Sequence, residues 1–336
     1  IGEADGSPGQ RLRHQPHLTA DGTSDAETQV GAFFGSGSGW DYRRMVLHYA
    51  ALCAEAGGVE AFLIGSELRG LTRIRGAGGT YPAVTALKAL AAELRAILGP
   101  ETKLSYAADW SEYRGHSPGD APGDFIFHLD PLWADDNIDF IGIDNYAPLT
   151  DWRDGAGHLD AQEGWGSIYD LAYLRARIAG GEDYDWYYAS DADRAAQTRT
   201  PITDGAYGKP WVWRAKDIRG WWENAHHDRP GGVESAVATD WVPQSKPVWF
   251  TELGCPAIDK GTNQPNVFVD PKSAESNVPC FSSGERDDFI QRRFIEAEAG
   301  YWDPSHEAFA ETNNPVSPVY GGRMVEPSRI FLWAWD

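Results

Sequence analysis

Cysteine is scarce in this chain, and the scarcity is informative. Three residues, Cys53, Cys255 and Cys280, are spread over 336 positions. That is too few, and an odd number, for a disulfide framework; Cys53 falls on a helical pattern, and only Cys255 and Cys280 could pair, across a long loop. Basic charge is short as well: 29 Lys and Arg face 50 Asp and Glu, for a net charge of -21. A polyanion meeting so acidic a surface is repelled and gains nothing from counterion release, which argues against nucleic acid or an anionic membrane as partner. No run approaches the ~20 apolar residues of a membrane span, so no membrane insertion is expected. The opening "IGEADGSPGQ" lacks an initiator Met and a hydrophobic leader, and the closing "RIFLWAWD" stops on a strand pattern. Both ends therefore suggest an internal piece of a longer polypeptide.

Strand and helix patterns alternate in between. Short apolar runs at Val59–Gly65, Lys103–Ala107, Ile138–Ile143, Pro247–Phe250 and Ile330–Trp333 suit parallel strands buried on both faces. Tyr42, Met45, Val46, Tyr49, Leu52 and Cys53 recur at helical spacing before Gly57 and Gly58. A second helix starts at Pro82, carries Val84, Leu87, Leu90, Leu94 and Ile97 inward, and stops at Gly99. A third runs from about Arg286 to Ala299, with Phe289, Ile290, Phe294 and Ala297 inward. The alternation is that of a parallel α/β fold, and the length allows one domain over residues 1–336, as in a (β/α)8 barrel with insertions. Thr150 to Ser245 interrupts it. This stretch is rich in Trp, Tyr, Asp and Gly, shows one fair helix at about Ser167–Ile178, and reads as a large insertion between two barrel strands.

Two glutamates stand where such a barrel keeps its chemistry. Glu67 in "FLIGSELRGL" and Glu252 in "PVWFTELGCP" each follow an apolar strand, at the end where the chain leaves the packed interior and the loops form a cleft. Either alone could be an ordinary solvated residue. Together, two carboxylates across a cleft are what glycoside hydrolysis uses: an acid that protonates the leaving group, and a carboxylate that attacks the anomeric carbon or activates water. A retaining mechanism would separate them by ~5 to 5.5 Å.

Nine of the 15 tryptophans lie between Trp110 and Trp222. Indole rings stack on the apolar faces of sugars, so Trp110, Trp221, Trp222, Trp333 and Trp335 are candidate subsite walls, although any of them could be core. Asp109 and Asp144 at strand ends, with Asn145 beside the latter, are candidates for holding sugar hydroxyls; the aspartates could equally cap helices. His226 and His227 follow "WWEN" and could line the cleft. No further ligand sits at zinc spacing, and "DYDWYYASDAD" lacks the spacing and glycine of a calcium loop, so neither metal nor cofactor is expected.

The succession "IGSEL", "FTELG" and "FLWAW" resembles the clan A glycoside hydrolases, whose acid/base follows the fourth strand and whose nucleophile follows the seventh. More closely, "GGVEAFLIGSELRGLT", "FIGIDNYAPLTDWRDG", "KDIRGWWENAHHDRPGG" and "SKPVWFTELGCPAIDKGTNQPNVFVDPKSAES" resemble the TIM-barrel domain of the baseplate or tail-hub protein of gene transfer agents and related phages, over nearly the whole chain. The resemblance implies that Val59–Gly65 is the fourth strand, that the third lies near Arg11 to Leu18, that the first two precede Ile1, and that the insertion separates strands six and seven. It implies Glu67 as acid/base, its proton held through burial and the proximity of Glu252, and Glu252 as nucleophile. Tyr146 sits where such enzymes carry a tyrosine that hydrogen-bonds the nucleophile. In one respect the chain departs: Ser66 stands where those enzymes have an Asn that binds the sugar 2-hydroxyl, and its hydroxyl reaches less far. Implied partners are an envelope polysaccharide and other tail or baseplate proteins, in a particle assembled in the bacterial cytoplasm and released. Cleavage of the glycan and a structural or glycan-binding role both remain open.

Overall fold

A computed structural model describes residues 20–35, 39–272 and 276–333. The expected third strand near Arg11 to Leu18, and Trp335, lie outside the described residues. Chain contacts divide the protein into two compact units, one formed by residues 1–143 and 224–248 and the other by 144–223 and 249–336. The segment 150–245 is thus shared between them.

The first unit contains helices α1 (Ser24–Phe34) and α2 (Tyr42–Glu55), strand β1 (Ala61–Ser66), helices α3 (Arg69–Thr72) and α4 (Pro82–Leu98), strand β2 (Lys103–Asp109), helix α5 (Asp130–Trp133) and the start of strand β3 (Ile141–Asn145). Helix α4 follows its sequence signals closely. Pro82 opens the first turn, where its missing N–H costs nothing; Val84, Leu87, Leu90 and Leu94 are buried, and Gly99 closes the helix at φ 79°, but Ile97, expected inward, lies in the last turn beyond the packed face and is exposed. Arg95 then ties the helix end to the sheet, its guanidinium donating to the carbonyls of Gly99, Thr102 and Asn137 and to the Asp139 carboxylate.

Helix α2 departs from expectation. Val46 and Ala50 are buried, whereas Met45, Tyr49 and Leu52 are exposed. The apolar stripe read from the sequence is wider than the face that packs against α4, so its second row, at spacing i, i+4, i+7, is left outside. Tyr42 does turn inward, donating from its hydroxyl to the Ile64 carbonyl at 2.9 Å.

The second unit carries helices α6 (Leu159–Gln162) and α7 (Leu171–Ala176), strand β4 (Trp186–Tyr187), helix α8 (Asp191–Ala196), strand β5 (Thr200–Pro201), helix α9 (Ile218–Glu223), most of strand β6 (Val248–Leu253), helix α10 (Asp288–Trp302) and strand β7 (Val325–Leu332). Ile290, Phe294 and Ala297 of α10 are buried as expected, but Phe289, rotated about 100° from Ile290 on the helix, is exposed. Within the insertion, buried charge replaces periodicity. Asp160 accepts hydrogen bonds from Tyr173, Arg177 and Arg199, and Asp151 from Tyr188, Gln197 and Arg199. These partners satisfy both buried carboxylates inside an otherwise irregular segment, and against the cost of burial the bonds from Tyr173 and Arg199 hold the Asp160 carboxyl below the usual range.

Five strands form a parallel sheet in the order β1-β2-β3-β6-β7, and β4 with β5 makes a separate antiparallel pair. The inner strands β2, β3 and β6 are buried almost throughout, as parallel strands covered on both faces should be. The outer strands are not. Leu63 of β1 and Phe331 and Leu332 of β7 are exposed. Exposed residues on the first and last strands of this order are compatible with a barrel short of two strands. All three cysteines are free, so Cys255 and Cys280 do not pair.

Candidate active site

In the second unit the ends of β3 and β6 are fastened by a ladder of side chains. Thr251 donates to Asp144 Oδ1 at 2.6 Å, and Tyr146 donates its phenolic proton to Glu252 Oε2 at 2.5 Å. Beyond them, Thr150 Oγ1 lies 2.5 Å from Asn263 Oδ1 and 2.8 Å from Thr262 Oγ1. Asn263 also donates to the carbonyls of Trp152 and Cys280. The loop after β3 is pinned from its other side by the fully buried Lys216, whose ammonium donates to the Pro148 and Gly180 carbonyls at 2.5 and 2.7 Å. Burial pulls the Lys216 pKa down to about 8. Tyr146 is itself buried, edge-on to Phe268 at 5.7 Å, so its hydroxyl is aimed by packing as well as by the bond it makes.

This arrangement can present one carboxylate at a strand end in a fixed pose, with one oxygen held by a phenol. Tyr146→Phe keeps the ring in its pocket and removes that donor. If Glu252 is the nucleophile that the sequence resemblance implies, the expected result is a 10- to 100-fold fall in kcat on a glycan with little change in melting temperature, because the loss is one charge-assisted hydrogen bond of about 1.5 to 3 kcal/mol. A fall in stability with unchanged turnover would assign the bond to the fold instead.

In the first unit, Glu67 follows β1 with φ 48°, a left-handed conformation uncommon outside glycine. Its amide donates to the Ala107 carbonyl at 2.8 Å, extending the β1–β2 pairing, and the next amide, Leu68, donates to the Tyr106 hydroxyl at 2.6 Å. Backbone strain of this kind concentrates at functional sites. Ser66 and Glu67 are exposed; the burial expected around Glu67 is not present. Gly65 leaves room here for the Tyr42 hydroxyl, which a methyl group at that position would approach to 2.6 Å and displace. Asp109, at the end of β2, accepts from Arg69 at 3.2 Å and from the Ser111 amide and hydroxyl at 2.8 and 2.5 Å, and Trp110 beside it is half-buried.

Other sequence candidates take structural places. Trp221 and Trp222 are 1% and 0% exposed, so they pack the core and offer no face to a sugar. The tandem tryptophans sit on α9, a short helix whose inward side takes both rings. His226 is also fully buried, stacked on Phe127 at 4.3 Å and on Trp241 at 5.6 Å, with Nδ1 2.8 Å from the Asp130 carboxylate. His227 Nδ1 meets the Ser235 carbonyl. Asp144 and Asn145 are buried too, Asp144 serving as a rung of the ladder. Trp333, by contrast, is 56% exposed next to the end of β6, its amide bonded to the Leu253 carbonyl. Among the described residues no group of three or more His, Cys, Asp or Glu could hold a metal ion. The acidic stretch weighed as a calcium loop spends Ser190 and Asp193 on capping α8 and Asp185 on the Gly181 amide.

Sequence reasoning missed Glu112. It is completely buried, accepts from Thr72, from the Tyr106 hydroxyl at 3.1 Å to each oxygen, and from the Asp109 amide at 3.3 Å. Burial pushes its pKa up to about 7, against the opposing pull of the Thr72 bond and of Arg73. Between pH 4.5 and 7 the folded protein therefore holds a proton that the unfolded chain releases, and this group's contribution to stability declines as pH rises through that window. Glu112→Gln removes that dependence. Denaturant unfolding at pH 5 and pH 8 should show the wild-type advantage over the Gln variant shrinking by up to about 3 kcal/mol; a constant difference would contradict the assignment.

Residues 40–336 match the profile of the GTA TIM-barrel-like domain. The chain belongs to this family. No curated protein matches it. For the GTA TIM-barrel-like domain the sheet order acquires a meaning: β1, β2, β3, β6 and β7 are successive strands of a barrel-type α/β fold, with Glu67 directly after the first of these described strands and Glu252 next to the last residue of the fourth. Among the described residues no helix is long and apolar enough to cross a membrane.

Proposed function

We propose that this domain is a component of a gene-transfer-agent particle, in the tail baseplate hub, and that it acts on cell-envelope polysaccharide as a retaining, two-glutamate glycoside hydrolase. The observation that carries the proposal is the Tyr146–Glu252 hydrogen bond. A phenol donating to a carboxylate at a strand end lowers the carboxylate's need for solvent and fixes one oxygen, leaving the other to attack an anomeric carbon. Glu67, strained at the end of another strand of the same sheet, is the proposed acid/base. Trp333, Trp110 and Asp109 are the proposed sugar contacts, Trp333 offering the most exposed ring. The net charge of -21 fits a neutral glycan better than an anionic one.

The test is to incubate the intact polypeptide with bacterial envelope polysaccharides and follow reducing-end release, with NMR of the first-formed anomer. Retention of configuration supports the proposal; inversion would replace the nucleophile role of Glu252 by that of a general base. A second reading is favoured by Ser66, whose short hydroxyl replaces the amide that would hold a 2-hydroxyl: a barrel kept for glycan binding within the tail tip. Saturable glycan binding with no cleavage and no change on replacing either glutamate would decide for it.

A further inference from the structure

We propose that Glu112 is a positioning residue that sets the pose of Glu67 through the Tyr106 hydroxyl; this rests on the reading of Glu67 as acid/base. The line of contacts is continuous. The Tyr106 hydroxyl donates to the Glu112 carboxylate, which turns the lone pairs of that hydroxyl toward the Leu68 amide, 2.6 Å away, and Leu68 is the residue that follows the left-handed Glu67. Glu67 cannot relax into the β region without breaking either this bond or the one from its own amide to Ala107. The arrangement is complete when Glu112 is ionised, above its pKa of about 7. Three donors, from Thr72, Tyr106 and the Asp109 amide, converge on Glu112, and two carboxylate oxygens accept all of them. An amide in its place brings two donors of its own, so at least one of the three must turn away, and the Tyr106 hydroxyl is free to rotate.

The charged and titratable groups around the carboxyl are Arg73, Asp109 and Tyr106, with Arg69 in turn bonded to Asp109. None of them offers Leu68 an alternative acceptor: Asp109 Oδ1 is engaged by Arg69 and Ser111, and the Tyr106 oxygen is the acceptor that the Leu68 amide uses. Glu112 thus grips a strained turn from inside the core while Glu67 faces solvent.

The experiment measures hydrogen exchange at the Leu68 amide, together with turnover on envelope glycan, in the full chain and in Glu112→Gln, Tyr106→Phe and the double variant. Tyr106→Phe keeps the buried ring and stays readable if Glu112→Gln fails to fold. The expected result is a tenfold or greater rise in Leu68 exchange in each single variant, with no further rise in the double variant, because Glu112 acts through Tyr106. Turnover should fall in kcat at unchanged KM, and Glu112→Asp should restore part of it. Unchanged Leu68 exchange in Tyr106→Phe, or additive effects in the double variant, would overturn the proposal. If the wild-type protein cleaves no glycan, the hydrolase reading fails, and the exchange data still decide whether Glu112 holds this turn.

Discussion

On the proposed hydrolase function, replacing Glu252 by Gln is expected to reduce kcat on an envelope glycan about 10³-fold or more, while the fold and glycan binding survive. The expectation follows from what the substitution leaves in place. A glutamine has the same shape, and its carbonyl oxygen still accepts from the Tyr146 hydroxyl, so the ladder through Asp144–Thr251 and Thr150–Asn263 is not disturbed. What disappears is the negative charge and the nucleophilic oxygen, and removal of a nucleophile typically costs several orders of magnitude in turnover. In the proposed site, binding would rely on ring stacking and hydrogen bonds elsewhere, so affinity should change by less than about threefold. The measurement pairs reducing-end release with glycan pull-down and calorimetry on the same preparation. Residual cleavage within about tenfold of wild type would remove Glu252 from the chemistry. A collapse of the melting temperature would instead make it a structural member of the ladder.

How much of this could be read from the sequence varies with the physics involved. Parallel strands buried on both faces announce themselves as unbroken apolar runs, which is why all five runs are strands of the sheet, displaced by a few residues at most for β1, β2, β3 and β6 and starting five residues early for β7. Glu67 and Glu252 were visible because each interrupts the chain just after such a run. Faces were harder. Helix α2 has apolar residues over more than half of its circumference, and periodicity alone does not say which row meets α4. Trp221, Trp222 and His226 looked like ligand groups because aromatic and imidazole side chains serve sugars and cores equally well; only the partners brought in by the fold, Phe127, Asp130 and Trp241 for His226, decide between the two. Glu112 was invisible for the same reason. Three residues beyond Asp109, it reads as a solvated acid in a turn, and its burial depends on Thr72 and Tyr106, which reach it from 40 residues and 6 residues away.

Gly254→Ala is expected to lower stability by about 2 to 4 kcal/mol and, on the proposed hydrolase function, to weaken cleavage through the same displacement. Strand β6 ends in Thr251, Glu252 and Leu253, and there the backbone of the next strand comes close: the Trp333 amide donates to the Leu253 carbonyl at 3.0 Å. A methyl group on Gly254 would fall deep inside van der Waals contact with the Trp333 carbonyl oxygen. Because the obstacle is backbone, no change of rotamer relieves it; the end of β7 must move away from the end of β6, as in other overpacked interiors. Glu252, two residues upstream, moves with that strand end, and a shift of about 1 Å at a reacting group can cost roughly 10²-fold in rate. Gly157→Ala is the control. It lies in the same unit with open space where its methyl would go, and should leave both melting temperature and turnover within error. Calorimetry of the two variants side by side is decisive. Equal melting temperatures would mean that the β6 and β7 ends are not in close backbone contact, and loss of stability without loss of cleavage would separate that contact from the placement of Glu252.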